Sequence, residues 1–130
     1  MIEIAVLGYG VVGSGVVEVL TTHADSIAQR AKEKINVKYI LVRRDHAESS
    51  LQGEFTKSFD EIVDDPDIKI VVEAIGGLNP AYEYVRRSLE AGKSVVTSNK
   101  ELVASKGAEL LKIAQEKNLN FLFEASVGGG

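Results

Sequence analysis

Hydrophobic positions along the chain fall into short continuous runs separated by longer stretches of helical spacing. The first run, Ile2 to Leu7, is rich in β-branched side chains and stops at Gly8, which predicts a buried strand. Val11, Val12, Val16, Val17, Val19 and Leu20 follow at mostly helical intervals, and the pattern continues through Ile27 and Ala31. Val37 to Val42 is a second strand by the same criteria, whereas residues 44–57 are polar and irregular and read as a loop. Ser58 with Glu61 has capping-box spacing and opens a short helix to Val63. Ile68 to Ile75 is a third strand, apolar apart from Lys69 and Glu73.

Asn79-Pro80 supplies a capping side chain followed by a proline, so a helix is expected to begin there, and Gly92 is placed to end it. Ser94 to Thr97 predicts a short strand. Ser98 with Glu101 is another capping-box pair, opening a helical stretch to about Lys117 with an interruption near Gly107. Asn120 to Phe123 predicts the last strand. Strands alternating with helices imply an α/β fold, a doubly wound and mostly parallel sheet with helices on both faces. Sheets of this kind place ligands at the carboxyl ends of their strands.

Composition narrows the function. The 130 residues suit one domain, residues 1–130, and 45% hydrophobic with 26% charged residues is the balance of a globular chain. The formal net charge of −4 argues against general affinity for nucleic acid or an anionic membrane surface. With no cysteine, disulfides, thiolate metal sites and cysteine nucleophiles are excluded. The apolar start is interrupted at Glu3 and lacks a basic leader, and no run approaches the ~18 apolar residues of a membrane span, so a cytoplasmic location is expected. His23 and His46 have no ligand-like spacing around them and read as surface residues.

Gly8-Tyr9-Gly10-Val11-Val12-Gly13 fits the dinucleotide fingerprint and lies between the first strand and the first helix. Gly8 allows the tight turn, Gly10 lets backbone approach a pyrophosphate, and Gly13 lets helix and strand pack closely. Amide groups at the helix start then face the phosphates, assisted by the helix dipole. Position makes the motif informative, since glycines alone also mark ordinary turns. The second strand ends Val42-Arg43-Arg44-Asp45, later than the usual ~20 residues after the loop, as a long first helix requires. Two arginines ahead of the acid favour the 2′-phosphate of NADP over NAD; the alternative is a pair of solvated charges. Lys57 could add a second cation to that phosphate site.

Two later strand ends carry further candidates. Ile75-Gly76-Gly77 would let backbone run close to a flat ring or a ribose, or is a simple loop. Glu73, within a valine-rich strand, needs a partner that the sequence does not identify. Val96-Thr97-Ser98-Asn99-Lys100 puts Lys100 in the first turn of a helix, where the macrodipole disfavours a cation. A lysine set against that field at a strand end suits proton transfer or carbonyl polarisation through a lowered pKa; the alternative is a lysine pointing into water.

Through Gly8–Gly13 with Ser14, Val72–Gly77, Val96–Glu101 and Glu124-Ala125-Ser126-Val127-Gly128-Gly129-Gly130, the chain resembles homoserine dehydrogenases over essentially its whole length. The glycine loop is common to many dehydrogenases; the last two segments together are much more specific. The resemblance implies a Rossmann-type domain of an oxidoreductase that interconverts L-homoserine and L-aspartate 4-semialdehyde with NAD(P), on the route to threonine and methionine. It implies a cofactor contacted by Gly8, Gly10, Val11, Val12, Gly13, Arg43, Arg44, Ile75, Gly76, Thr97, Ser98 and Lys100, with Lys100 also catalytic. It further implies a monovalent cation such as sodium near Glu124 and the backbone carbonyls of Val127 and Gly129, where the residues alone suggest a flexible glycine tail. Family members continue into a substrate-binding and dimerisation region, so the full protein is expected to be a homo-oligomer and these 130 residues alone to be inactive. Two other readings stay open: the cofactor domain of a related enzyme such as aspartate dehydrogenase, and a cofactor-sensing module without catalysis.

Overall fold

The computed structural model describes residues 2–8, 22, 24–30, 32–41, 54–56 and 58–124. Strands β1 (Ile2–Leu7), β2 (Ile35–Leu41), β3 (Glu54–Thr56), β4 (Ile68–Glu73), β5 (Ser94–Thr97) and β6 (Phe121–Phe123) form one six-stranded sheet. The order is β3-β2-β1-β4-β5-β6 and every pairing is parallel. From β1 the chain works outward to β3, then returns to the other side of β1 to lay down β4, β5 and β6. The direction of winding therefore reverses between β1 and β4, the switch point at which doubly wound sheets bind ligands.

Helical residues 24–30 (α1), α2 (Phe59–Val63), α3 (Ala81–Glu90) and α4 (Lys100–Glu116) cover the sheet. Alternation along each strand divides the core in two. Ala5, Leu7, Leu41, Val71 and Val95 pack beneath Phe59 and Ile62 of α2, Val85 and Leu89 of α3, and Leu102, Leu110 and Ala114 of α4. On the other face Ile4, Val6, Ile40, Ile70, Val72 and Val96 meet Ala24 and Ile27 of α1. Among the described residues no helix is long and apolar enough to cross a membrane.

Several local expectations are corrected. The polar stretch 44–57, expected to be a loop, contains the edge strand β3, which pairs Glu54, Phe55 and Thr56 with Tyr39, Ile40 and Leu41. Three residues are too few to display a period. The helix α4 runs unbroken through Gly107, because one glycine costs only about 1 kcal/mol in a helix otherwise well anchored. It starts one residue later than expected: Asn99, not Ser98, is the N-cap, and its side chain accepts from the Leu102 N–H. Asn79 does not cap α3. Pro80 takes the N-cap position after a cis Asn79-Pro80 peptide, without a side-chain cap. Ser58 stands at the N-cap of α2 but makes no side-chain cap bond.

The helix ends are tightly specified. Gly92, at φ +87°, closes α3 as expected: its N–H donates to Leu89 O and the Lys93 N–H to Ser88 O, both at 3.0 Å. Asn118, at φ +59°, closes α4 in the same way, with the Leu119 N–H donating to Ala114 O at 2.8 Å. These turns return the chain to the amino ends of β5 and β6.

Candidate functional site

The strands finish in one row. Leu7 is in register with both Leu41 and Glu73, Leu41 with Thr56, Glu73 with Thr97, and Thr97 with Phe123. Every turn that follows a strand therefore opens on the same edge of the sheet. At the switch point Gly8 leaves β1 with φ +88°, a conformation that glycine adopts without strain. Its N–H donates to Leu41 O at 2.9 Å, while the Ala74 N–H donates to Leu7 O at 2.8 Å. A Cβ on Gly8 would lie 2.9 Å from Ile75 Cγ1 and 3.1 Å from the Ala74 carbonyl atoms. The first glycine of the fingerprint is thus required twice, by its dihedral and by the β4 turn pressed against it.

Beyond β4, Gly76 and Gly77 also have positive φ, +83° and +71°, but among the described residues nothing stands within 4 Å of where their Cβ atoms would be. Ile75, Gly76 and Gly77 are all half-buried. Underneath that turn lies Glu73, 0% exposed. Its Oε2 accepts from the N–H groups of Ile75 at 2.9 Å and Gly76 at 3.0 Å. Its Oε1 accepts from Thr97 Oγ1 at 2.5 Å. The partner that the sequence demanded is therefore composite, and every member donates, as a carboxylate acceptor requires.

Beyond β5, Thr97 and Asn99 are buried, Ser98 is half-buried and Lys100 is exposed at the first position of α4. Thr97 Oγ1 also accepts from the Asn99 N–H at 3.0 Å. Asn99 Nδ2 donates to Gly77 O at 2.6 Å, so the turns after β4 and β5 are tied directly. Past β6 the Glu124 N–H donates to Thr97 O at 2.9 Å, which places Glu124 on the same edge. Of the residues singled out in the sequence, this edge brings together Gly8, Ile75, Gly76, Thr97, Ser98, Lys100 and Glu124. Gly10, Val11, Val12, Gly13, Arg43, Arg44, Lys57, Val127 and Gly129 lie outside the described residues, as do His23 and His46. Among the described residues no cluster of His, Asp and Glu could hold a metal ion.

A glycine-bearing turn at the switch point of a 3-2-1-4-5-6 sheet, facing an open strand-end edge, is the architecture of a dinucleotide site. The model of the homoserine dehydrogenase NAD-binding domain matches residues 8–124. The chain belongs to that family. Homoserine dehydrogenase of Bacillus subtilis is 39% identical over 132 residues, covering 99% of this chain and 30% of the relative. That of Corynebacterium glutamicum is 38% identical over 130 residues, covering 98% and 29%. The crystal structure of a homoserine dehydrogenase from Thiobacillus denitrificans matches with a TM-score of 0.79 at 45% identity, covering 98% of this chain and 30% of that one. The chain thus spans about 30% of the length of the curated relatives it matches.

As a homoserine dehydrogenase NAD-binding domain, the chain takes a nicotinamide cofactor, and the open edge between β1 and β4 has the form to receive one. The residues missed in the sequence are those that build the edge rather than face it. Asn99 carried a signal, an asparagine directly before a helical run. The pairing of Gly8 with Ile75 and the composite partner of Glu73 carried none, because they join segments distant in the chain.

Proposed function

We propose that this domain binds NADP(H) in preference to NAD(H), within a protein that oxidises L-homoserine to L-aspartate 4-semialdehyde and catalyses the reverse reduction. In the oxidation the carbinol carbon of homoserine loses a hydride to the nicotinamide and its hydroxyl loses a proton, giving the aldehyde, NAD(P)H and H⁺. The observation that carries the reading is the convergence of Gly8, the Ile75–Gly77 turn and Lys100 on one open edge, in a chain of this family.

In this reading the amides of Gly10, Val11, Val12 and Gly13 grip the diphosphate, while Gly8, whose own N–H goes to Leu41 O, shapes the turn that brings them to it. Arg43 and Arg44 meet the 2′-phosphate, while Ile75, Gly76, Thr97 and Ser98 line the rest of the cofactor. The Ile75 and Gly76 N–H groups are already given to Glu73, so this turn serves a ligand through its shape and its carbonyls. Lys100 interacts with cofactor and substrate and assists the proton transfer. Glu124, with carbonyls of Val127 and Gly129, holds a monovalent cation such as sodium. Residues 1–130 act as the cofactor domain, and a separate substrate-binding and dimerisation region completes the active site of a homo-oligomer.

The test is a paired titration of the full protein with NADPH and NADH, in wild type and Arg43→Ala, alongside homoserine oxidation. A phosphate contact predicts loss of about 10- to 100-fold in NADPH affinity with NADH little changed. Equal effects on both cofactors would remove the NADP preference, and absence of homoserine oxidation by the wild type would remove the substrate.

A further inference from the structure

Among the described residues Glu73 is the one buried carboxylate, placed in a strand whose neighbours are Val71 and Val72. A charge in that setting is costly unless several donors surround it, and an aliphatic side chain would serve the sheet more cheaply. The donors come from two separate turns. Ile75 and Gly76 lie beyond β4, and Thr97 with Asn99 lies beyond β5, the Asn99 Nδ2 standing 3.5 Å from Glu73 Oε2. From Thr97 the chain of bonds continues through the Asn99 N–H to the Asn99 side chain, whose Oδ1 accepts from Leu102 N–H in the first turn of α4. Lys100 is the first residue of that turn.

We propose that Glu73 is a positioning residue for hydride transfer: its carboxylate fixes the cofactor-side turn Ile75–Gly77 and the start of α4 relative to each other, and so sets Lys100 against the bound nicotinamide. The two turns are in register, since Glu73 and Thr97 are paired residues of adjacent parallel strands. One carboxylate between them therefore removes the freedom of either turn to slide or tilt alone. This inference rests on the proposed roles of Ile75, Gly76 and Lys100, and Glu73, 0% exposed, acts through them.

The experiment uses the full protein with Glu73→Gln, and with Thr97→Val as a second variant should the first fail to fold. A misplacement of the reacting groups predicts that kcat for homoserine oxidation falls by roughly 10- to 100-fold in either variant, while the Kd of Glu73→Gln for NADPH moves by less than about 3-fold; Thr97→Val, at a residue that lines the cofactor, is read by kcat and the isotope effect. The primary deuterium isotope effect with homoserine deuterated at the carbinol carbon is expected to rise, because the hydride step becomes more rate-limiting. Thr97→Ser, which keeps a hydroxyl between Glu73 and Asn99, is expected to recover part of the rate lost in Thr97→Val. A merely structural role predicts a fall in rate that matches the loss of NADPH-binding sites, with the same isotope effect; that result, or a kcat within about 2-fold of wild type, overturns the proposal. Should the wild type oxidise no homoserine, the substrate reading falls by itself, and amide hydrogen exchange in the NADPH-bound protein decides on Glu73. Faster exchange at Ile75, Gly76 and Leu102 in Glu73→Gln supports the fixing role, and equal exchange overturns it.

Discussion

Asn99 Nδ2 donates to the carbonyl oxygen of Gly77 at 2.6 Å while Asn99 Oδ1 accepts from the Leu102 N–H at 3.0 Å. One amide side chain thus caps α4 and fastens the turn beyond the neighbouring strand. Asn99→Ala removes both functions. The cap accounts for about 1 kcal/mol, and the carbonyl left without its partner for about 1 kcal/mol more. Urea unfolding should show a loss of roughly 2 kcal/mol. A loss confined to a few tenths of that would mean water takes over both bonds.

Gly8 and Gly77 share the left-handed backbone but differ in their surroundings, and alanine substitutions separate the two effects. Gly77→Ala meets no described residue within 4 Å, so it should cost only the backbone term, about 1–2 kcal/mol. Gly8→Ala adds a contact of 2.9 Å with Ile75 and should exceed it by about 1–3 kcal/mol, with dinucleotide affinity reduced as well. Equal losses in the two variants would show that Ile75 and the Ala74 carbonyl yield without cost.

Lys32, at φ +58°, and Asn118, at φ +59°, occupy the left-handed position that ends a helix. Lysine gains nothing there, whereas asparagine tolerates it. Lys32→Gly is therefore expected to stabilise the domain by about 0.5–1 kcal/mol despite the larger entropy of the unfolded glycine chain, and Asn118→Gly by less. Thermal melts of the two variants test the ranking, and a lower Tm for Lys32→Gly contradicts it.

Asp65 accepts from Lys38 Nζ at 2.6 Å, and chiefly for that reason its carboxyl is held below the ordinary value of 3.8. A lowered folded pKa means that the stabilisation is present above the ordinary value and is lost as pH falls through the lowered one. Asp65→Asn should therefore reduce stability at neutral pH and flatten the decline below about pH 4. An asparagine oxygen can still accept from the Asp67 N–H, which now donates to Asp65 Oδ1 at 2.9 Å, so the turn itself is kept. Denaturant unfolding across the acid range checks the slope; an undiminished slope assigns the acid sensitivity elsewhere.

The strands nearest the site were legible because parallel strands buried on both faces read as apolar runs: Ile2–Leu7 and Ser94–Thr97 have the predicted bounds. The strand at 54–56 was hidden by its length, and Gly107 misled because a helix anchored by Leu102, Leu110 and Ala114 absorbs one poor residue. Ser98 matched a capping-box spacing, yet the residue after it makes the bond. At the site, the glycine motif and Lys100 were visible as local patterns at strand ends. The partners of Glu73 were not, since Thr97 and Asn99 lie 24 and 26 residues further along the chain and only the pairing of β4 with β5 brings them near.

The acid within β4 also bears on how the chain avoids mispairing as it folds. A strand made wholly of isoleucine and valine could shift by one residue and still present aliphatic groups to both layers. With Glu73 in place, the same shift would turn its carboxylate toward Ile4, Val6, Ile40 and Val96 and away from Thr97 and Asn99, leaving it only the N–H groups of its own turn. The misaligned sheet is penalised by a carboxylate set among aliphatic side chains with fewer donors, so the residue that weakens the strand on paper also favours its correct alignment.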